Sequence, residues 1–232
     1  MKIGLLICGH AMEQVAKTHG DYAEWFQTLL AGHGFDFDTY NVVDMEFPTD
    51  VRAADGWLVS GSAHGAYEDH PFIPPLEGFI RNAYVAPVPI VGVCFGHQLI
   101  AQALGGKVEK FKGGWAVGRQ HYTFEGHGDV ALNAWHQDQV MELPDDARVI
   151  ASNDFCKNAG LVYGDSIYTI QPHPEFSNPI IADYITLRRD PAIYDDAMMD
   201  RAIANSEIPN DAALFAKDIA AFFKQPREAK NG

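Results

Sequence analysis

One cysteine stands where a buried strand is expected to turn directly into a helix. Cys94 follows an apolar run that ends at Val93, and Gly92 and Gly96 lie two residues to each side of it. A cysteine on such a turn forms a nucleophile elbow, and the flanking glycines leave room for the tight reversal. The adjacent helix N-terminus favours the thiolate. Cys94 is therefore the candidate nucleophile, although an isolated cysteine more often packs as a small core residue.

A histidine and a glutamate follow another predicted strand, and the histidine lies 79 residues beyond the cysteine. His173 and Glu175 alternate with Pro172 and Pro174, which favour extended backbone, so both side chains can point the same way. The carboxylate can then orient the imidazole, which completes a nucleophile, a base and an orienting acid. The alternative is a proline-rich loop with a solvated histidine and glutamate. Together with Cys94, the pair indicates covalent catalysis at a carbonyl group.

A tetrahedral intermediate at Cys94 also needs hydrogen-bond donors for its oxyanion. The backbone N–H of Phe95 follows the nucleophile directly, and that of Gly61 lies in the loop after the predicted strand 56–59. Both groups are expected at strand ends, where they can converge on one carbonyl oxygen. By itself, however, Gly61 is equally well explained as an ordinary turn glycine.

The sequence resembles the class I (triad) glutamine amidotransferase family. Its nucleophile motif G-[VI]-C-[FYL]-G-x-Q is matched by residues 92–98, and its H-P-E motif by residues 173–175. The two motifs occur in the expected order, and the resemblance covers nearly the whole chain. It implies that the cysteine, histidine and glutamate release ammonia from glutamine through a γ-glutamyl thioester, without a cofactor.

The resemblance also implies residues that hold the substrate. Gln98 and the amides of the loop at Gly61 and Ser62 are expected to contact the glutamyl group. Trp135 and His136 begin a segment expected to lie beside its α-carboxylate. Without the resemblance, His136 would be interpreted as a hydrogen-bonded surface or edge histidine.

The motif variants are most similar to those of stand-alone, GMP-synthase-like members, which include plant γ-glutamyl peptidases. Many amidotransferases have Gly-Gly-Pro where this chain has residues 60–62, and no ATP-pyrophosphatase segment follows in the sequence. We expect cysteine-dependent hydrolysis of a γ-glutamyl amide bond, in glutamine or in a γ-glutamyl peptide. Two alternatives stay open: a glutaminase subunit that delivers ammonia to a separate synthetase, and a non-catalytic regulatory module. The adjacent histidine and glutamate disfavour a cysteine hydrolase of the α/β-hydrolase type.

The elements that must position these residues indicate an α/β fold. Short apolar runs at 3–8, 35–42, 56–59 and 88–93 alternate with helical periods at 22–30, 76–84 and 96–104, as in βαβ units. Strand-like pieces from 107 to 170 suggest an antiparallel or mixed portion of the sheet. We expect a three-layer, flavodoxin-like fold: an open, mostly parallel sheet with helices on both faces. Residues 1–232 are interpreted as one domain with a helical C-terminal extension from about 179 to 232.

Composition and charge restrict the partners and the compartment. The chain has 232 residues, of which 47% are hydrophobic, and its net charge is −14. A strongly acidic surface repels phosphate backbones and anionic lipids, so neither nucleic acid nor a membrane is an expected partner. Three cysteines cannot all pair, and no secretory segment precedes them, so we expect reduced thiols in the cytoplasm.

Other chemical signals are weak. The sequence has no G-x-x-x-x-G-K-[ST] loop and no G-x-G-x-x-G after a strand, which argues against nucleotide binding by those motifs. His121, His127 and His136 lack the spacing and companion ligands of a zinc site, so no metal is predicted. Cys8 is interpreted as a core residue and Cys156 as incidental.

Overall fold

The computed structural model describes residues 1–227. Its strands are β1 (Lys2–Leu6), β2 (Asp36–Tyr40), β3 (Gly56–Val59), β4 (Ile90–Val93), β5 (Lys107–Lys110), β6 (Ala116–Phe124), β7 (Gly128–His136), β8 (Asp138–Glu142), β9 (Ala147–Ser152), β10 (Gly160–Tyr163) and β11 (Ile167–Ile170). Its α-helices are α1 (Glu13–His19), α2 (Tyr22–Leu29), α3 (Ile73–Val85), α4 (Phe95–Ala103), α5 (Asn178–Leu187), α6 (Asp196–Ala204) and α7 (Ala212–Lys224).

A nine-stranded sheet forms the centre of the molecule, in the order β2-β1-β3-β4-β11-β10-β9-β6-β7. From β2 to β11 neighbouring strands are parallel, and from β11 to β7 they are antiparallel. Strands β5 and β8 form a separate antiparallel pair. The predicted mostly parallel sheet with a mixed portion between 107 and 170 is therefore confirmed.

Alternating side chains of the parallel strands pack into two hydrophobic cores, one on each face of the sheet. On β1, Ile3 and Leu5 belong to the core that includes residues of α2, α5 and α7. Leu6 belongs to the opposite core, which includes residues of α3 and α4. The period of two along the strand thus fixes which helices cover which face. The predicted three-layer arrangement, with helices on both faces, is confirmed.

The predicted boundaries differ from the observed ones at several places. Strand β1 ends at Leu6 instead of Cys8, and β2 spans a shorter range than 35–42 because Val42–Asp44 winds into a 3-10 turn. The sequence does not predict helix α1, since Val15 is its one fully buried residue and it leaves no apolar period. The region predicted as helical from 179 onward contains α5, α6 and α7. Residues 228–232 of that prediction lie outside the described residues.

The parallel half of the sheet determines where chemistry can occur. The loop at Gly61, the turn at Cys94 and the segment leading to His173 follow the carboxyl ends of β3, β4 and β11, which are neighbours in the sheet. In open α/β sheets this edge forms the crevice that binds ligands. The fold therefore brings together segments that are far apart along the chain.

Candidate active site

Cys94 occupies a strained backbone conformation between β4 and α4. Its φ is 53° and its ψ is −102°, a region that non-glycine residues rarely adopt. Its N–H donates to the carbonyl of Ile170 at 2.9 Å, and its carbonyl accepts from the N–H of Gln98 at 3.1 Å. The neighbouring strand and the first turn of α4 thus hold the residue from both sides. This is the strand–turn–helix geometry expected of a nucleophile elbow.

The two glycines that flank Cys94 are required by close packing. A Cβ on Gly96 would lie 2.3 Å from the carbonyl oxygen of Val59, which is backbone and cannot yield. A Cβ on Gly92 would lie 2.6 Å from Cδ1 of Ile100 and 2.8 Å from the Gly96 backbone. The elbow therefore sits against β3 on one side and against its own helix on the other.

The His173 ring is fixed by both its backbone and its face. Its N–H donates to the carbonyl of Asn133 at 2.8 Å, forming an isolated antiparallel bridge with β7. The imidazole stacks on Phe176 with ring centroids 4.0 Å apart and an interplanar angle of 6°. On the Gly61 side there is no space, because a Cβ there would lie 2.8 Å from Cε1 of His173. Few orientations of the ring are therefore accessible.

Glu175 lies against His173 in a buried environment. Its Oε1 is 2.6 Å from Nδ1 of His173, and the two residues are 4% and 2% exposed. Burial alone would lower the pKa of His173, but the negative charges and hydrogen bonds of Cys94 and Glu175 raise it to about 10. The geometry therefore favours an imidazolium whose Nδ1–H donates to the carboxylate.

Gln171 contacts Cys94, although the sequence alone assigns it no role. Its Nε2 lies 3.6 Å from the Cys94 sulfur, and its Oε1 accepts from Nε2 of Gln98 at 3.1 Å. Gln98 also donates to the carbonyl of Asp138 at 2.8 Å. The side chain predicted to hold the glutamyl group is thus part of a hydrogen-bond chain that reaches the sulfur through a second glutamine.

One predicted oxyanion donor, Gly61, lies in the loop after β3, and the other, Phe95, is the first residue of α4. The N–H of Gly96 donates to the carbonyl of Ser60 at 3.1 Å, which joins the loop after β3 to the start of α4. Within residues 1–227, no hydrogen bond engages the backbone N–H of Gly61 or of Phe95. Both N–H groups are therefore free to donate to another acceptor, and their part in catalysis stays a prediction.

The predicted substrate contacts line one cavity of about 270 Å³ above the cysteine. Ser62, Gln98, Trp135 and His136 all contribute to its wall, together with Cys94 and His173. Its charged lining residues include two cationic and two acidic side chains: Lys110, Arg188, Glu68 and Asp138. The cavity therefore presents both signs of charge near the sulfur.

His136 is buried and neutral. Burial, together with the neighbouring His173, lowers its pKa to about 3, against the opposing effect of a hydrogen bond with Asp138. Its Nδ1 lies 3.2 Å from the Asp138 carbonyl, which can only accept, so Nδ1 carries the ring proton. In this tautomer the ring has no second N–H to offer a carboxylate.

Sequence reasoning missed the residues that the C-terminal helices bring to the cavity. Tyr184 and Arg188 line it, and the Arg188 guanidinium lies 5.5 Å from the centroid of the Trp135 ring. The Trp135 indole N–H donates to the hydroxyl of Tyr194 at 3.3 Å. No local signal marks these contacts, because they depend on how the helical tail packs against β7.

The fold and the elbow define the class first: an open α/β protein with a buried cysteine at a strand–helix turn beside a histidine–glutamate pair. A family described as "Glutamine amidotransferase class-I" matches residues 26–180. The chain belongs to the class I glutamine amidotransferase family and is an enzyme of that type.

Two individual proteins are also similar to this chain. The chain is similar to gamma-glutamyl peptidase 3 of Arabidopsis thaliana, with 30% identity over 229 residues, which cover 91% of this chain and 92% of the relative. It is also similar to a glutamine-hydrolyzing GMP synthase subunit of Methanopyrus kandleri, with 36% identity over 146 residues, or 55% of this chain and 71% of the relative.

A solved structure supports the fold. A glutamine amidotransferase from Methylobacillus flagellatus superimposes with a TM-score of 0.74 at 21% identity, covering 100% of this chain and 97% of that one. The predicted family resemblance is therefore confirmed, and so is the predicted fold. Separately, none of the helices among residues 1–227 has both the length and the hydropathy needed to cross a membrane.

Proposed function

We propose that this chain hydrolyses γ-glutamyl amide bonds through a thioester on Cys94. The observation that carries the proposal is the arrangement around the sulfur: a strained elbow cysteine beside an imidazole whose other nitrogen lies 2.6 Å from a buried carboxylate. That arrangement is a nucleophile, a proton carrier and an orienting group. The relationship to a gamma-glutamyl peptidase supports the choice of substrate class.

The first chemical step is acylation. The Cys94 thiolate attacks the γ-carbonyl carbon, a C–S bond forms, and the carbonyl electrons move to oxygen. The N–H groups of Gly61 and Phe95 stabilise that oxyanion. As the intermediate collapses, the C–N bond breaks and His173 transfers its proton to the leaving nitrogen, which departs as ammonia or an amine.

The second step is hydrolysis of the thioester. Neutral His173 removes a proton from water, and the resulting hydroxide attacks the same carbonyl carbon. The C–S bond breaks, glutamate leaves, and the thiolate and the imidazolium are restored. Glu175 carries no proton in either step; it holds Nδ1–H, so that Nε2 faces the reacting atoms.

Substrate recognition is proposed to use the remaining cavity wall. The backbone amides at Gly61 and Ser62 and the side chain of Gln98 hold the glutamyl group. Because neutral His136 offers no second N–H, we assign the α-carboxylate to Arg188, whose guanidinium can bind a carboxylate with two hydrogen bonds. Trp135 supports that guanidinium through its ring face.

A glutaminase component of a separate synthetase is the second candidate, favoured by the relationship to a GMP synthase subunit. That match covers 55% of this chain, whereas the peptidase match covers 91%. The C-terminal helices add Tyr184 and Arg188 to the cavity, so similarity over nearly the whole chain favours the peptidase. A synthetase component is expected to be nearly silent on its own, whereas a peptidase turns over unaided.

The experiment measures glutamate released from glutamine, glutathione and γ-glutamyl dipeptides by the purified full chain. Cys94→Ala should abolish release and also prevent labelling by a glutamine-derived electrophile. Cys156→Ala is the matched control, since that buried thiol does not line the cavity and its loss should leave turnover intact. Turnover retained by Cys94→Ala would refute the mechanism, and an unlabelled Cys94 in an inactive wild type would indicate a regulatory module.

A further inference from the structure

A loop at the rim of the cavity carries three potential metal ligands. His64, Glu68 and His70 follow β3, and one ligand atom from each lies within 4.8 Å of the other two. We propose that these three side chains bind a divalent transition-metal ion of the zinc class. The sequence alone predicts no metal, because the histidines whose spacing was considered do not belong to this group.

The distances around the shared carboxylate fit a tetrahedral ion. Oε2 of Glu68 lies 2.9 Å from Nε2 of His70 and 3.7 Å from Nδ1 of His64. Two ligands at zinc–ligand distances of about 2.0–2.1 Å are separated by roughly 3.4 Å in a tetrahedron. The two observed separations lie on either side of that value, and all three ligand atoms lie within 4.8 Å of one another, so side-chain rotations can bring them to one ion. Two imidazoles and one carboxylate leave a fourth position for water.

The ring packing also brings the two imidazoles together. The centroids of His64 and His70 are 3.9 Å apart, and the ring of Phe72 stacks on that of His70 at an interplanar angle of 26°. The backbone N–H of His64 donates to the hydroxyl of Ser62 at 3.1 Å, which fixes the start of the loop. The histidine pair is therefore positioned by an apolar ring and a backbone contact before any ion arrives.

Another histidine at the cavity shows what a non-binding arrangement looks like. His10 also contacts two acidic residues, but Asp21 lies on its Nδ1 at 2.7 Å and Asp44 on its Nε2 at 2.9 Å. The two carboxylates sit on opposite edges of the ring, so no single ion could contact all three groups. At residues 64–70 the donors converge instead on one point.

The location gives the ion a consequence for the enzyme, and this part rests on the proposed function. His64 and Glu68 line the cavity that contains Cys94. Between them, the carbonyl of Ala66 accepts from the side chain of Gln102 at 2.7 Å, and the hydroxyl of Tyr67 donates to Asp138 at 3.2 Å. These two contacts already hold the middle of the loop. A bound ion would also join residues 64, 68 and 70 to one another, so the loop should move less. We therefore expect the ion to slow substrate entry and inhibit hydrolysis.

The binding test uses the full chain after chelator treatment, titrated with Zn²⁺ by calorimetry and with Co²⁺ by visible absorption. The wild type should bind one equivalent, and Co²⁺ should give tetrahedral ligand-field bands without a thiolate charge-transfer band. Loss of an outer-shell partner weakens metal binding on the order of 10–100-fold, so loss of a ligand in His70→Gln or Glu68→Gln should weaken it by at least as much. His127→Gln is the matched control, because His127 pairs with one carboxylate, that of Asp218, and should leave binding unchanged.

Several results would overturn the proposal. Wild-type protein that binds no Zn²⁺, or binding that neither His70→Gln nor Glu68→Gln weakens, would exclude the site. A thiolate charge-transfer band that disappears in Cys94→Ala would place the metal on the cysteine instead. None of these readouts requires activity, so they stand even if the chain proves not to be a γ-glutamyl hydrolase.

Inhibition is tested separately. His70 does not line the cavity, so His70→Gln should keep the basal rate and lose sensitivity to Zn²⁺. Inhibition that persists undiminished in that variant would show that the metal acts elsewhere.

Discussion

The two halves of the central sheet hold the candidate site in different ways. On the parallel side, Cys94 and Gly61 are constrained by space: one has a strained backbone, and the other has no room for a side chain. On the antiparallel side, Asn133 of β7 acts through hydrogen bonds: its carbonyl accepts from the N–H of His173, and its side chain donates to the carbonyl of Phe176, both at 2.8 Å. Close packing thus constrains the Cys94 backbone and, through Gly61, the His173 ring, while the hydrogen bonds of Asn133 hold the segment that carries His173.

This difference predicts different failures. A methyl group added to the parallel side should displace a reacting group, because close-packed backbone cannot yield. A hydrogen bond removed from the antiparallel side should leave the groups near their positions but less firmly held, and should also cost stability. A methyl group added on the parallel side should therefore lower activity with little loss of stability. A hydrogen bond removed on the antiparallel side should lower both.

The largest effect is expected from Gly61→Ala. The new Cβ would lie 2.8 Å from Cε1 of His173, so the imidazole must move. A displacement of this kind costs about 100-fold in kcat. Because the charges of Cys94 and Glu175 raise the pKa of His173 to about 10 against the effect of burial, moving the ring away from them should also lower that pKa. Steady-state kinetics and an NMR titration of the imidazole measure the two effects.

Gly78→Ala is the control for that variant. Gly78 lies inside α3, and a Cβ there would meet nothing within 4 Å. Activity should be unchanged, and the free energy of unfolding should rise by about 1 kcal/mol, since alanine is the better helix former. If Gly61→Ala keeps wild-type kcat, packing against Gly61 does not position the base.

A smaller effect is expected from Asn133→Ala. The variant keeps the backbone bond to His173 but removes the donor to the buried Phe176 carbonyl, which should cost about 1–3 kcal/mol of stability. We expect kcat to fall roughly ten-fold with KM little changed, because a loosened base is less often in its reactive position. Chemical denaturation and steady-state kinetics measure the two effects.

Asn158→Ala provides the comparison, since Asn158 lies in the loop between β9 and β10 of the antiparallel half. The Asn158 side chain donates to the carbonyl of Val140 at 2.9 Å and does not line the cavity. The Asn158→Ala variant should be less stable than the wild type but keep its kcat. Equal losses of kcat in the two variants would show that the effect of Asn133 is general destabilisation and not positioning.

The same division explains what could be predicted from sequence. The parallel half carries two local signals. One is an apolar run followed by Cys94 between two glycines, and the other is a predicted strand followed by His173 between two prolines. Parallel strands also share one edge, so the meeting of these segments follows from the fold class. Both the parallel character of that half and the candidate nucleophile were therefore accessible.

The antiparallel half gives no comparable signal. The bridge between Asn133 and His173 depends on register between segments 40 residues apart, and the helices that bring Arg188 to Trp135 pack from beyond residue 177. Such contacts result from many weak packing interactions across the fold, and no short sequence motif marks them. Gln171 stands next to a predicted strand, but nothing in its neighbours indicates that its amide reaches the sulfur.

The smallest expected effect isolates the backbone strain at the elbow. Cys94→Ala and Cys94→Gly both remove the sulfur, so neither should hydrolyse substrate. They differ in backbone freedom: φ of 53° with ψ of −102° is costly for alanine and accessible to glycine, by about 1–3 kcal/mol. Glycine also has more entropy to lose on folding, about 0.5–1 kcal/mol. Cys94→Gly should therefore exceed Cys94→Ala in unfolding free energy by about 1 kcal/mol, measured by chemical denaturation. If alanine is the more stable of the two, the turn relaxes once the sulfur is gone, and the strain belongs to the cysteine's contacts instead of the strand–helix junction.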